Sequence, residues 1–300
     1  MISVCVPIFR YDVRPLAREL LRQAAALPRP VELLLYDDAS PDDGDWGRTE
    51  LRTLPGLTYV ELTHNLGRAA IRNRLARDAR HEHILLMDAD GRPGPNYLAG
   101  WLTEVERQSK ESASSPAGYV VSGGRTYAPD PPADKRLHLH WWYGTCREAK
   151  SAAERMRQPY LGFQSNNFLA NRGVLLRHPF PEHHRGYGHE DTLWGQELRS
   201  AAVGLRHLDN PTVHLGLEPA DVFLRKQREA LSNLALLRTR SPHLRTRLID
   251  LADRWPLAVR LAEAVSEIRL TNYLTGRPQP KLLALDILKM KWWGKVNERG

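Results

Sequence analysis

Short unbroken apolar runs alternate with helical periodicity along the first two thirds of the chain. Ile2 to Ile8 reads as a strand, and Val31 to Tyr36, Leu57 to Leu62, Ile84 to Met87 and Tyr119 to Ser122 read the same way. Between them, Val13 to Leu27 carries Leu16, Leu20, Ala24 and Leu27 at helical spacing and stops at Pro28 and Pro30. Arg68 to Arg80 and Tyr97 to Gln108 are further helices. Strands that are apolar throughout are buried on both faces, so this alternation predicts a mostly parallel sheet with helices on each side. The stretch from Tyr127 to Tyr160 is less regular, with a loop at Pro129–Pro132 and mixed helical character over Lys135 to Arg157. Val174–Leu176 and Trp194–Ala202 read as helices, and Leu205–Leu208 and Thr212–His214 as extended pieces.

Past Glu218-Pro219 the pattern becomes wholly helical. Val222 to Leu237 places Phe223, Ala230, Leu231, Leu234 and Leu237 on one face. Helices follow near 244–252, 257–270 and 281–293. Two domains are expected, an α/β domain over 1–217 and a basic helical extension over 218–300. Charge supports the division. The net +8 lies in the last 80 residues, with 16 Lys and Arg against 8 Asp and Glu, while the first 220 balance at 27 each. The leading part therefore needs no general affinity for polyanions, and no nucleic-acid partner is expected. Two cysteines cannot form a disulfide framework, and Cys5 in its apolar run reads as a core residue. With neither a leader-like start nor a long apolar span, a cytoplasmic protein is expected.

In open α/β sheets ligands bind beyond the carboxyl ends of the strands. The residues there are acidic. Asp88-Ala89-Asp90 follows the fourth strand, where two carboxylates two residues apart suit a hard divalent cation with a diphosphate, or simply a turn. Asp37-Asp38 follows the second strand and reads as a helix cap or as an acceptor for a nucleobase N–H and a ribose hydroxyl. His189-Glu190-Asp191 follows Gly186-Tyr187-Gly188. Its acids either complement a helix dipole or include a general base, Asp191. His207 reads as a structural histidine, and His214 as either structural or a third metal ligand. Trp194 and Tyr187 offer ring faces, with core packing the alternative for Trp194. Asn166 and Asn167 offer donors and acceptors, or serve a loop.

These segments stand in a recognisable order. Val6-Pro7-Ile8-Phe9, Tyr36-Asp37-Asp38-Ala39-Ser40-Pro41-Asp42, Asn65-Leu66-Gly67 with Ala70-Ile71-Arg72-Asn73, Met87-Asp88-Ala89-Asp90 and Gly186-Tyr187-Gly188-His189-Glu190-Asp191 resemble the family 2 inverting glycosyltransferases with the GT-A nucleotide-sugar fold. The last segment is also similar to the acceptor-side Gly-x-Gly-x-Glu-Asp motif of galactosyltransferase-type enzymes. The resemblance covers about residues 1–217. It implies that Pro7 lines the nucleotide pocket, Asp38 recognises the base and Arg72 approaches the nucleotide. It further implies that Asp88 lies near the ribose, and that Asp90 and His214 hold Mn²⁺ or Mg²⁺. Asp191 would deprotonate the acceptor, with Glu190, Trp194, Asn166 and Asn167 on the acceptor side. Phe9-Arg10 departs from the family's usual Tyr-Asn. No Gln-x-x-Arg-Trp follows the Glu-Asp pair, which points away from processive synthases.

The expected activity is therefore metal-dependent, inverting transfer of a single sugar from a UDP-linked donor to a glycan or glycolipid hydroxyl, in surface polysaccharide or glycolipid synthesis. A non-catalytic sugar-nucleotide binder is the alternative. The helix over Lys281 to Lys295 mixes Leu282, Leu283, Ile287, Trp292 and Trp293 with Lys289, Lys291 and Lys295. Such a helix suits contact with the inner face of the plasma membrane, docking onto the core, or a homodimer contact.

Overall fold

The computed structural model describes residues 1–111, 117–182, 188–240 and 244–297. The chain divides into two compact units. One comprises Met1–Thr126, Lys150–His183 and Trp194–Gly216, and the other Tyr127–Ala149, His184–Leu193 and Leu217–Gly300.

The first unit is built on a seven-stranded sheet. Its strands are β1 (Ile2–Ile8), β2 (Val31–Asp37), β3 (Thr58–Glu61), β4 (His83–Met87), β6 (Tyr119–Ser122), β8 (Asn167–Asn171) and β9 (Gly204–His207). They lie in the order β3-β2-β1-β4-β8-β6-β9. Only β8 runs against its neighbours, pairing antiparallel with both β4 and β6. The strand period of two divides the core in two. Val4, Val6, Leu33, Leu35 and Leu85 meet α1 (Arg14–Ala25) and α4 (Tyr97–Glu111) through Leu16, Leu20, Leu98 and Trp101. Cys5, Leu34, Ile84 and Leu86 turn to the other face, where α3 (Arg68–Asp78), α7 (Arg172–Arg177) and α8 (Glu190–Ser200) bring Leu75, Val174, Trp194 and Leu198. Cys5 is a core residue, as its run predicts, and burial pushes its thiol pKa far up.

β8 was not legible in the chain. Asn-Phe-Leu-Ala-Asn holds only three apolar residues between two asparagines, too short to separate from a loop by periodicity. Its pairing depends on β4 and β6, which are remote in sequence. A second sheet joins β5 (Gly91–Arg92), β10 (Thr212–His214) and β7 (Arg125–Thr126); Thr212–His214 is extended as its sequence predicts, while the two-residue strands β5 and β7 carry no pattern. A short helix α2 (Arg48–Thr53) follows β2. His207 is structural, as read from the sequence. Its Nδ1 lies 2.6 Å from the buried Arg155 guanidinium and its Nε2 lies 2.9 Å from the carbonyl of Pro159. Burial, with the Arg155 charge, brings its pKa down to about 4 against the pull of the Pro159 carbonyl.

The second unit is helical. It holds α5 (His138–Tyr143), α9 (Ala220–Arg240), α10 (Arg247–Arg254), α11 (Pro256–Ala264), α12 (Glu267–Thr275) and α13 (Leu283–Asn297). The expected helix over 257–270 is two helices. Val265 leaves helical geometry, and the Ser266 side chain accepts the Arg269 N–H to start a new one. The expected helix over 135–157 is likewise broken. After α5 a π-helical turn spans Gly144–Glu148, and Ser151 then caps α6 (Ala152–Arg155) through a full capping box.

The helix over 281–293 is not the free membrane-facing element that its tryptophans suggested. Leu285, Leu288, Trp292 and Trp293 are buried with Leu139, Phe223, Leu234 and Leu274. The Trp292 indole N–H donates to Glu267 at 2.9 Å, and Arg228 and Arg238 lie over the two indole rings. All of these partners belong to the helical unit itself. Apolar residues on more than one side of α13 meet neighbours on more than one side. Among the described residues no helix is long and apolar enough to cross a membrane.

Candidate active site

The carboxyl ends of β1, β2 and β4 carry the first group of site residues. Pro7, half-buried, pairs in register with Tyr36. Past β2, both oxygens of the buried Asp38 accept backbone N–H groups, from Leu66 at 2.7 Å and Gly67 at 3.0 Å. The Asn65 side chain returns a bond to the Asp38 carbonyl at 2.9 Å. Asp38 thus ties the loop before α3 to the end of β2. Burial raises its pKa above the ordinary carboxylate range, although these two N–H groups pull the other way. Each oxygen keeps a further lone pair for a ligand donor. Asp37 is structural: it accepts the Ser40 N–H at 2.8 Å, with Arg48 and the Tyr59 hydroxyl each at 3.2 Å.

β4 ends in a tight turn. The Asp88 N–H donates to the Asn166 carbonyl, and the Gly91 N–H returns to the Asp88 carbonyl. The two aspartates then have different partners. Asp88 accepts from Arg72 at 2.7 Å, with Arg125 at 3.8 Å. Arg72 is buried and lies 5.8 Å from the Phe180 ring centre, so it is a fixed charge that orients Asp88. Asp90 instead meets the buried His214, with Oδ2 at 3.4 Å from Nδ1. The small sheet makes this meeting, because β10 runs antiparallel to β5 with His214 opposite Gly91, and Leu215 donates to the Asp90 carbonyl. Burial alone would raise the Asp90 pKa. The bond and charge of His214, with Arg125 and Arg68, outweigh it and hold Asp90 below the ordinary range. Asp90 is therefore ionised at neutral pH. A pocket of about 300 Å³ opens beside the turn, lined by Tyr11, Asp12, Leu16, Ala89, Gly91 and Leu215.

A carboxylate and an imidazole facing one another suit a hard divalent cation, with donor phosphate oxygens completing its shell. Among the described residues no third aspartate, glutamate, histidine or cysteine joins them. Two residues of this arrangement carry no sequence signal. Arg125 reaches Asp88 only through β7. Gly216 is required by space, since a Cβ there would lie 2.1 Å from Asp90 Oδ2 and 3.0 Å from His214 Cε1. Gly216→Ala is therefore expected to leave the melting temperature nearly unchanged while turning the Asp90 carboxylate away from His214. Transfer should fall by roughly 10²-fold, the cost of about an ångström of misplacement. Steady-state kinetics on the variant checks this, and wild-type rates would refute the tight fit.

The acceptor-side residues separate into two sets. Asn166 is buried, and its side-chain oxygen, like that of Gln164, has no hydrogen-bond partner among the described residues. A buried oxygen without a donor is uncommon, so this position calls for a hydrogen-bond partner. Asn167 corrects the sequence reading. It is fully buried, accepts from the Tyr97 hydroxyl at 2.7 Å, and donates to the carbonyls of Gly124 at 3.0 Å and Asn210 at 2.9 Å. All its capacity to donate goes to holding the strand ends together. Trp194 also corrects it. Its ring is fully buried and stacks on Phe180 at 4.4 Å, and its N–H donates to the His178 carbonyl. A sugar cannot reach it.

Glu190 and Asp191 open α8, where acidic side chains match the helix dipole. The preceding Gly188 and His189 have φ of 92° and 72°, a bend that aims the helix start. Burial, with the nearby Lys289 charge, brings the His189 pKa down to about 4, so this histidine is neutral at pH 7. Gly186 and Tyr187 lie outside the described residues.

A mostly parallel sheet with one reversed strand, and an Asp-x-Asp turn beyond its carboxyl edge, defines a nucleotide-sugar transferase of the GT-A type. The family described as Glycosyl transferase family 2 matches residues 3–166, and the chain belongs to it. It is thus an inverting GT-A enzyme that transfers a sugar from a nucleotide sugar. The fold is similar to the mannosyltransferase PcManGT from Pyrobaculum calidifontis, solved with GDP-Man and Mn²⁺, at 19% identity and TM-score 0.56, over 99% of this chain and 86% of that one. It is also similar to mannosyl-3-phosphoglycerate synthase from Rubrobacter xylanophilus, at 16% identity and TM-score 0.53, over 82% and 76%. No curated protein matches the chain in sequence.

Proposed function

We propose that the chain adds one sugar from a UDP-sugar to a hydroxyl of a glycan or glycolipid acceptor, in surface polysaccharide or glycolipid synthesis. The Asp90–His214 pair carries this reading. An ionised carboxylate and a buried imidazole meet beyond the strand ends, with Asp88 already neutralised by Arg72. Asp90 and His214 would hold Mn²⁺ or Mg²⁺, which supplies Lewis-acid neutralisation of charge on the leaving diphosphate. Asp38 and Pro7 would line the base pocket, where an acceptor oxygen suits the uracil N3–H. Arg72 fixes Asp88 for the ribose. Asp191 takes the proton of the acceptor hydroxyl as its oxygen attacks the anomeric carbon and the bond to the diphosphate oxygen breaks. A single displacement inverts the configuration. Asn166, with its unpartnered oxygen, and Glu190 at the start of α8 are the proposed acceptor contacts. The absence of a Gln-x-x-Arg-Trp sequence after Asp191 supports addition of one sugar.

Thermal shift with sugar nucleotides and Mn²⁺ tests the donor. UDP-sugars at about 100 times their Kd should stabilise the protein by about 2.7 kcal/mol. GDP-sugars, the donor type bound by the Pyrobaculum neighbour, should do so far less. Selective stabilisation by GDP-sugars would overturn the assignment of uracil, and no shift with any sugar nucleotide would overturn the site.

A further inference from the structure

Within the helical unit, α10, α11 and α12 carry large apolar side chains that stay exposed among the described residues. Leu257, Leu261 and Ile268 are 70–72% exposed, and Trp255, Leu251 and Val265 are exposed as well. Leu257 and Leu261 are four residues apart on α11, so they share one side of that helix. Large apolar side chains this exposed on three successive helices mark an interaction surface.

The charges sort themselves around it. Arg254, Arg260 and Arg269 are exposed, and no carboxylate pairs with them among the described residues. The four acidic side chains of these helices are engaged elsewhere. Asp250 binds Arg245, Asp253 binds Arg238, and Glu267 binds the Trp292 indole with Arg228 and Lys295 alongside. Glu263 lies against Gly294 of α13. The exposed side therefore carries large apolar side chains and three arginines that no carboxylate pairs, while Asp250 and Asp253 are held in ion pairs.

We propose that this face of α10–α12 docks on the surface of an anionic lipid bilayer. Leucine, isoleucine and tryptophan side chains would enter the headgroup boundary while the arginines meet lipid phosphates. Pairing with a second copy is disfavoured by the same charges. A two-fold contact sets the patch against itself and brings the three unmatched arginines of each copy toward those of the other. The membrane element is thus α10–α12 and not α13, whose tryptophans are inside.

Vesicle flotation of the full chain tests this. The expected result is flotation with vesicles of phosphatidylcholine containing roughly one third phosphatidylglycerol, and none with phosphatidylcholine alone. Arg254→Gln/Arg260→Gln/Arg269→Gln should weaken partitioning roughly 100-fold and remove most of its salt dependence. Leu257→Ser/Leu261→Ser/Ile268→Ser should weaken it at least tenfold at either salt level. Both variants change only exposed side chains, so unchanged melting temperatures will show them folded. Equal flotation with neutral vesicles, no flotation, or variants that float like the wild type would overturn the proposal. So would a wild-type dimer that the leucine variant dissolves. None of these readouts uses sugar transfer, so they stand apart from the donor and acceptor assignments.

Discussion

Asp191→Asn is expected to lower sugar transfer by about 10³-fold while leaving the affinity for UDP unchanged. Asparagine keeps the volume and the position at the start of α8 but cannot accept a proton. The acceptor hydroxyl then attacks with its proton in place, and the barrier rises by the full contribution of the base. The loss should fall on kcat, since the proposed donor groups at Asp38, Asp88 and Asp90 are untouched. One negative charge also leaves the helix start, which costs a few tenths of a kcal/mol at most and should move the melting temperature little. Calorimetric titration with UDP and Mn²⁺, beside a radiolabelled transfer assay, separates the two effects. A variant that turns over like the wild type would remove Asp191 from the chemistry. A variant that loses UDP binding as well would place it in the donor site instead.

Removing the cation should have a comparable effect. EDTA is expected to abolish transfer, and added Mn²⁺ or Mg²⁺ to restore it. Asp90→Asn should lose about 10²-fold or more, and extra Mn²⁺ should not restore it, because an amide oxygen holds a hard cation far less well than a carboxylate. Asp88→Asn should behave differently. It leaves the buried Arg72 without its anion, so its first effect is on the packing around Phe180 and on donor orientation. Melting temperature and the KM for donor should both move in that variant, whereas Asp90→Asn should move mainly the Mn²⁺ requirement. Full activity in EDTA would refute the proposed role of the Asp90–His214 pair.

The two aspartates show how far the chain could be read. Their spacing and their place after a strand are local facts. That Asp88 belongs to Arg72 and Asp90 to His214 depends on residues 16 and 124 positions away, brought near by α3 and by the small sheet. Gly216 and Arg125 were invisible for the same reason, since neither has a local pattern that differs from a loop. For Trp194 and Asn167 the sequence leaves two roles open, and the structure takes the buried one. A tryptophan and an asparagine look alike in sequence whether they meet a sugar or fill a core. Only their buried surroundings distinguish the two.

The basic tail repeats the lesson. Its helices and its positive charge were evident from periodicity and composition. The sequence alone could not show that Trp292 and Trp293 lie inside while Leu257, Leu261 and Ile268 lie outside, because hydrophobicity is a property of a side chain and exposure a property of its neighbours.

By itself the chain determined the alternation of strands and helices, the acidic residues at the strand ends and the family to which they belong. These follow from local period and local order. Tertiary structure alone decided which carboxylate meets which partner, where β8 reverses the sheet, and which face of the helical part is left open. Each of those rests on contacts between residues far apart in sequence, and such contacts exist only once the chain has folded.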